Sequence, residues 1–474
     1  MSKSLKIILI AVGGFVGLLV LIAVALVFFV DANAYKPRLE STASKALGME
    51  VKVDGQVGIG FFPSLRVTLD DVHIRNRGTD VASAKVAKLG IDLLPLLHKE
   101  VRLRSITLKS PQISIERNLA GTFNFEKTEE ASAVSHALEL AKVSLSDGTF
   151  RYVDKQSGNK FEASNCRLDV RTRQLSSGQS TELIKNVSFT AELACGEARR
   201  NEVAVSDLKL SADGKNGVIV LKPVTMRLFG AKGSGNIQAD VSGAVPHYHV
   251  HYTLPQFPIE EFFKTVSSQQ GPEGLMDFSA NLSMQGTTLK EMRQTVNGQF
   301  SLRGENLIVN GSDLDEMFAR FESSQHFNLV DVGAFFFAGP VGVVVTKGFN
   351  FASILQGGGQ TKIRTLVSEW KIEHGVAQAQ DVAMATDKNR VALHGGLNFV
   401  SEQFDDVTVA LIDNKGCAKA KQKIHGSFQK PVVDKPNIFK SLSGPFREIL
   451  KKGGKLFNGG ECDVFYAGSV APPK

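Results

Sequence analysis

The sequence predicts a mainly β protein. A single N-terminal transmembrane helix precedes an elongated, strongly twisted antiparallel sheet that is curled into a groove. Three observations indicate this class: an apolar run at residues 7–30, apolar residues at a spacing of two through most of the remaining chain, and few helical stretches. Side chains two positions apart share one face of a strand, so this spacing indicates strands with one apolar and one polar face. A long sheet must shield its apolar face from water. A succession of similar short units favours an elongated trough over a closed barrel or a sandwich as the way to do so.

The apolar run at 7–30 contains no charged residue. As a helix it would measure roughly 36 Å, enough to cross a hydrocarbon core of about 30 Å. Lys3 and Lys6 precede it, so the positive-inside rule predicts that residues 1–6 are cytoplasmic and that the rest crosses the membrane. A cleaved secretory signal is the alternative, with a cleavage site at 32–34. The run is longer than the ~7–15 apolar residues of such signals, which favours a retained anchor.

The strand pattern beyond the anchor has an irregularity that recurs. The apolar alternation slips by one residue within 65–74, 101–115 and 203–210 and then resumes. A one-residue slip exchanges the two faces of a strand, so each slip predicts a turn, a bulge or a strong local twist.

Few stretches read as helices. The first has Pro37 in its first turn and Gly48 as its C-terminal cap. A later one is expected to begin at Ser312 as N-cap with Asp315 as its capping-box partner. The predicted helices are Lys36–Leu47, Glu260–Val266, Leu289–Val296, Ser312–Phe321 and a last one within Pro436–Lys452.

The predicted organisation places a polar linker at Glu126–Ser135 as the clearest boundary. The regions are the cytoplasmic N-terminus at 1–6, the transmembrane helix at 7–30, an N-terminal β region at 31–130, a middle β-repeat region at 131–295 and a C-terminal β region at 296–474. The apolar stretch Val330–Val345 is interpreted as a buried turn between strands, with a lip that contacts lipid as the alternative.

Composition excludes some functional classes. The 474 residues carry a net charge of +7, and the charge is spread out, without the basic stripe and interleaved aromatics of a nucleic-acid surface. The four cysteines, Cys166, Cys195, Cys417 and Cys462, contain no C-x-x-C pair. In an exported protein they are candidate disulfides with three possible pairings, of which the most local joins 166 to 195 and 417 to 462.

No catalytic signature is present, so we predict that the chain is not an enzyme and has no cofactor. The G-x-S-x-G, H-E-x-x-H and P-loop motifs are all missing from the sequence. His247, His249 and His251 alternate and would share one strand face, but strand neighbours on one face lie about 7 Å apart, too far for one tetrahedral ion. We therefore predict no metal site.

Four segments carry a family resemblance: Gly58–Leu65, Pro111–Asn124, Val296–Leu302 and Ile424–Pro431. The first reads GIGFFPSL and follows an anchor and a short helix, and the last reads IHGSFQKP. With these segments the chain resembles the AsmA family of bacterial envelope proteins.

The resemblance implies a single-pass inner-membrane protein whose bulk lies in the periplasm. It also implies a fold similar to that of the bridge-like lipid-transfer proteins, in which repeated β units form a taco-like groove with an apolar lining. The family is associated with outer-membrane biogenesis and has no known catalytic residues.

From this resemblance we predict that the chain binds lipid in an apolar β-groove and assists phospholipid transfer between the inner and outer membranes. The alternative is a membrane-anchored scaffold that regulates the assembly or targeting of outer-membrane proteins. The expected partners are phospholipids and the inner membrane, with outer-membrane proteins or their assembly factors as further candidates and no nucleic acid. The candidate groove-lining residues are Leu65, Val67, Leu69, Val250 and Leu302.

Overall fold

The chain is mainly β, which confirms the predicted class. The computed structural model describes residues 32–60, 65–92, 95, 102–126, 141–175, 187–201, 203–266, 272–324, 358–435, 437–438, 462 and 464–473. Within these residues lie 21 strands and four α-helices. They belong to two compact units, Met1–Ile219 and Val220–Lys474.

The first unit begins with a 3₁₀ turn, Ala32–Tyr35, that leads into helix α1, Lys36–Leu47. Gly48 ends α1 in the left-handed conformation at φ 66°, and its N–H donates to the Ser44 carbonyl at 2.8 Å. The strands are β1 Glu50–Val53, β2 Val57–Gly60, β3 Leu65–Asn76, β4 Thr79–Ile91, β5 Leu103–Arg117, β6 Lys142–Asp154, β7 Lys160–Leu175, β8 Val187–Arg200 and β9 Val203–Lys215.

From β3 to β9 the strands of the first unit lie side by side in chain order, and one neighbouring pair is parallel. Both β1 and β2 pair with β3, and the sheet then runs antiparallel from β3 to β5 and from β6 to β9. Between them β5 and β6 are parallel, with Ser105 opposite Lys142. The prediction of a purely antiparallel sheet is therefore wrong at this pair. Residues 118–141 return the chain to the end where β5 began, and a parallel pair requires a crossover of about a dozen residues or more.

The second unit is a meander. Strand β10, Val218–Leu228, spans the division, and each strand from β11 to β20 pairs antiparallel with the next. The remaining strands are β11 Ala231–Asp240, β12 His247–Pro258, β13 Leu275–Gln285, β14 Asn297–Asn310, β15 Gln360–Glu373, β16 Val376–Ala385, β17 Arg390–Asn398, β18 Gln403–Ile412, β19 Ala418–Ser427, β20 Lys430–Val433 and β21 Asn437–Ile438. The helices are α2 Ile259–Val266, α3 Leu289–Thr295 and α4 Leu314–Ser324.

Helices α2 and α4 cover the apolar side of the second unit's sheet. Phe262 and Phe263 of α2 are 1% exposed, and Leu314 and Phe318 of α4 are fully buried. These side chains pack in one cluster with the inward side chains of the strands, including Trp370. The second unit therefore has a closed core.

The start of α4 differs from the prediction. Asp313, not Ser312, is the N-cap: its carboxylate accepts the Glu316 N–H at 2.9 Å, whereas Ser312 is fully buried with its hydroxyl on the Met317 sulfur. Asp315 is not a capping-box partner, because its carboxylate accepts from the Asn389 amide at 2.7 Å. An ionised carboxylate nearest the helix N-terminus complements the free N–H groups better than a hydroxyl does.

The C-terminal residues 464–470 form a segment, here named the strap, on the outer side of the second unit's sheet. Phe465, Tyr466 and Val470 pack against small side chains such as Ala383 and Ala392. The Arg390 guanidinium donates to the Val470 carbonyl at 2.8 Å.

Several predictions fall outside the described residues. They are the span at 7–30, the stretch Val330–Val345, most of the linker Glu126–Ser135 and most of the helix within Pro436–Lys452. In the part of the chain that the structure describes, no helix is both long enough and apolar enough to cross a membrane.

Candidate functional site

The slips in the apolar alternation are single residues in the left-handed conformation inside strands. In the first unit they are Asp71, Ser110, Asp147, Asn165 and Asp207, with φ between 48° and 55°. A left-handed residue interrupts the alternation once, which bends the strand and returns the next apolar side chain to the original face; we call each of these positions a bulge. The bulges thus keep one apolar face continuous along each strand.

These bulges line up across neighbouring strands. On β4, Lys85 lies opposite Asp71 of β3 on one side and opposite Ser110 of β5 on the other. The neighbouring pairs establish this register, because Val72 faces Ala84 and Ala84 faces Pro111. In the same way the bulge of β6 lies beside that of β7, where Gly148 faces Cys166. Because the bends coincide, they act as one line of curvature across the sheet of the first unit.

Six of the eight bulges share a local sequence: an apolar residue, a polar residue, the left-handed residue, and an apolar or small residue. The second unit has bulges at Gln256, Asn306 and Asp406, of which the first has Pro255 in the polar position and the second has Gly304 in the first position. Six of the eight left-handed residues are Asp or Asn, the non-glycine residues that tolerate this conformation most readily. The eight segments are 69–72, 108–111, 145–148, 163–166, 205–208, 254–257, 304–307 and 404–407.

The apolar side of β5–β9, which we name the open face, is the candidate site. Among the side chains that the structure describes there, no large apolar one is fully buried, and each is partly exposed. Only small residues such as Ala163 and Ala198 are buried there. The large members are Ile106, Leu108, Ile113, Ile115, Val143, Leu145, Phe150, Tyr152, Phe161, Leu168, Val170, Phe189, Leu193, Val203, Val205, Leu208 and Leu210.

Contacts show that residues on both sides of a bulge share this face. Val205 and Leu208 flank the bulge of β9 and pack in one cluster with Leu145 and Leu193. The rings of Phe150 and Phe161 lie 5.9 Å apart. Alternate residues point to the opposite side and are mostly polar, so the open face is one apolar surface on a strand array with a hydrated back.

The open face differs from the equivalent surface of the second unit. There Leu254, Phe257 and Leu307, which also flank bulges, are fully buried because α2 and α4 pack on them. In the first unit Ala43 of α1 packs against the cluster formed around β1–β3. Among the described residues, no helix packs on the apolar side of β5–β9.

The structure separates the predicted groove-lining residues. Leu65, Val67 and Leu69 lie on β3, where Val67 and Leu69 pack in the cluster that α1 partly covers. Val250 and Leu302 belong to the second unit, and Leu302 is 3% exposed inside its closed core. Leu145 and Phe150 of the open face are not among the predicted residues. The segment 145–148, which begins at Leu145 and precedes Phe150, is the sequence signal that marks them.

Disulfides join Cys166 to Cys195 and Cys417 to Cys462. Of the three pairings that the sequence leaves open, this is the most local one. Cys166 and Cys195 are buried in the floor of the open face beside the bulges of β7 and β9. This bridge links β7 to β8 beside the line of curvature.

The segment Pro111–Asn124, which carries part of the family resemblance, ends β5 in a fixed loop. The Asn124 side chain accepts the Glu116 N–H at 3.0 Å and donates to the Ser114 carbonyl at 2.7 Å. Nearby, hydrogen bonds from Ser157 lower the pKa of Asp154, with Arg117 contributing. Through its two hydrogen bonds to the backbone of β5, Asn124 holds the loop that ends this strand in place.

The candidate metal ligands belong to strands and loops other than β5–β9. His247, His249 and His251 are exposed on β12 and face Asp240, Gln238 and Asn236 of β11 in turn. They follow one another along the strand and do not converge on a point.

A second group brings carboxylates and a histidine closer together. Ligand atoms of Asp54, Asp71 and His73 lie within 4.8 Å of one another. The imidazole Nε2 is 3.3 Å from Asp71, and Nδ1 is 3.4 Å from Asp80. Both Asp54 and Asp71 are exposed, so we describe the group as a surface ion-pair cluster.

The family model of the AsmA family matches residues 1–191 and 173–382. The chain belongs to the AsmA family. Searches of curated proteins and of solved structures found no match. Membership associates this chain with the bacterial envelope and with outer-membrane biogenesis. The features of the described residues that we consider for such a role are the repeated bulged strands and the open face.

Proposed function

We propose that this chain is an inner-membrane-anchored envelope protein that binds phospholipid acyl chains on the open face and assists their transfer between the inner and outer membranes. The single observation that supports this is the partial exposure of every large apolar side chain on β5–β9 whose burial the structure describes. A soluble domain rarely leaves so continuous an apolar surface without an occupant.

The chemistry of the face suits an acyl chain. Its side chains are aliphatic and aromatic, and their contacts with an acyl chain do not depend on direction. An acyl chain can therefore shift along the face without breaking specific bonds. Each methylene removed from water contributes about 0.8 kcal/mol. A continuous apolar path keeps this contribution nearly constant as the lipid moves, which lowers the barrier to transfer without any covalent step.

The anchor predicted at residues 7–30 would hold one end of this path at the membrane that supplies lipid. A polar headgroup would remain in water at the rim of the face, because burying it there would leave its hydrogen bonds unmade. The proposal therefore needs no catalytic residue and no cofactor.

Site-specific photocrosslinking in cells tests the proposal. A photoreactive amino acid replaces Ile113, which faces the apolar side of β5, or its neighbour Gln112, which is exposed on the opposite side. The two positions are adjacent in sequence and differ only in the face they occupy. We expect phospholipid adducts at position 113 and none at position 112.

Two results would contradict the proposal. Equal lipid labelling at both positions would show that contact with lipid is unrelated to the open face. Adducts at position 113 that consist of outer-membrane protein precursors and contain no lipid would support the scaffold alternative.

A further inference from the structure

The outer side of the second unit's sheet contains a cavity of about 760 Å³. This volume lies within the range of about 300–1,000 Å³ that small-molecule sites occupy. The cavity is on the side opposite the closed core, because its polar residues alternate with the core residues Phe300 and Trp370. Its polar side chains include Ser279, Asn281, Gln299, Ser301, Lys371 and Gln380.

Strand register arranges these side chains in two rows. In one row Asn281 of β13 faces Gln299 of β14, which faces Lys371 of β15. In the other, Ser279 faces Ser301, and their hydroxyl oxygens are 2.8 Å apart. The rows are fixed by backbone pairing, so the spacing of their polar groups is preorganised.

The amides in these rows have unused hydrogen-bonding capacity. Asn281 and Gln299 are exposed, and neither side chain has a hydrogen-bond partner among the described residues. Gln380 donates only long bonds, of 3.4 and 3.5 Å, to carbonyls of its own strand. A carboxamide offers two donors and one acceptor oxygen, so each can both donate to and accept from a ligand.

The charged groups at the cavity neutralise one another. Glu369 is paired with Arg303, and the Lys371 ammonium lies 2.6 Å from Glu373. An anion such as a phosphate would find no uncommitted cation here, and an acyl chain would find polar groups in place of apolar ones. The lining suits a neutral ligand that carries many hydroxyl groups.

We propose that this cavity binds a neutral saccharide. Each sugar hydroxyl both donates and accepts a hydrogen bond, as do the amides of Asn281 and Gln299 and the hydroxyls of Ser279 and Ser301. The saccharide is either a free oligosaccharide or the sugar part of a glycolipid. This inference concerns the second unit alone and does not depend on lipid binding at the open face.

Binding at the cavity is measured by isothermal titration calorimetry of the purified full-length protein. The protein is titrated with maltotetraose, cellotetraose and chitotetraose. In a second arm it is titrated with phosphatidylcholine vesicles with and without digalactosyl diacylglycerol.

The variants are Asn281→Leu and Gln299→Leu, with Gln238→Leu as the matched control. Gln238 is an exposed amide on β11 of the same unit and is not part of the cavity lining. We expect saturable binding whose affinity each cavity variant weakens about fivefold, the effect of one net hydrogen bond. The control variant should bind like the unmodified chain.

The arms identify the source of the sugar. Saturation by a tetrasaccharide indicates a free oligosaccharide, and saturation only by the galactolipid vesicles indicates a glycolipid. No saturable binding in either arm would overturn the proposal. It would also be overturned by binding that both cavity variants leave unchanged, or by an equal, cavity-dependent response to a neutral glycine–serine peptide.

Discussion

The bulges predict a sharp difference between two substitutions at one position. Asp147 lies in the middle of β6 at φ 55°, and its side chain is exposed. Asn accepts this conformation, whereas the branched side chain of Val collides with its own backbone there. We expect Asp147→Asn to be close to neutral and Asp147→Val to destabilise the strand by about 1–2 kcal/mol.

Hydrogen–deuterium exchange of the full-length protein measures this effect locally. A loss of 1–2 kcal/mol should accelerate exchange in peptides from β6 and its neighbours β5 and β7 roughly 5–30-fold in Asp147→Val relative to Asp147→Asn. Ser146→Val is the control, since Ser146 precedes the bulge in an ordinary extended conformation that Val favours. Equal exchange in the two Asp147 variants would refute the claim that this strand needs a left-handed residue.

Two further predictions concern the disulfides and pH. Replacing Cys166 and Cys195 by serine should destabilise the first unit by about 3–4 kcal/mol in the chain-entropy model, measured by urea unfolding; no change in midpoint would contradict this role. Burial and the Lys421 ammonium lower the pKa of His394, whose ring lies 4.3 Å from that of Phe465 in the strap. The unfolded state then binds more protons than the folded state, so strap stability should fall as pH drops below about 6.5. The protection factors at 464–470, corrected for the intrinsic exchange rate at each pH, should fall in acid, and H394F should lose this acid dependence; an unaltered dependence in H394F would exclude His394 as its origin.

Much of the local structure could be predicted because it depends on neighbouring residues. Helix α1 follows from Pro37 and Gly48. The slips in the alternation predict a turn, a bulge or a strong twist within 65–74, 101–115 and 203–210, and the structure has left-handed residues there at Asp71, Ser110 and Asp207. These features depend on backbone sterics and side-chain periodicity, which a single sequence carries.

Long-range packing could not be predicted in the same way. Leu302 and Leu145 both read as apolar positions on alternating strands. Leu302 is buried because α2 and α4 dock on its sheet, while Leu145 stays partly exposed on the open face. Which apolar face is covered depends on where distant helices pack. For the same reason, the cysteine pairing and the parallel β5–β6 pair appear only in the folded chain.

The most direct test of the central claim is mass spectrometry of the lipids that co-purify with the full-length protein and with Ile113→Asp and Gln112→Asp. A carboxylate at position 113 would lie against acyl chains with no hydrogen bond or opposite charge to offset its loss of hydration, whereas one at position 112 would face water. We predict at least an approximately tenfold loss of bound phospholipid in Ile113→Asp, with Gln112→Asp like the unmodified protein and β5 equally protected from exchange in both variants. Equal amounts of bound lipid in all three proteins would contradict lipid binding on the open face.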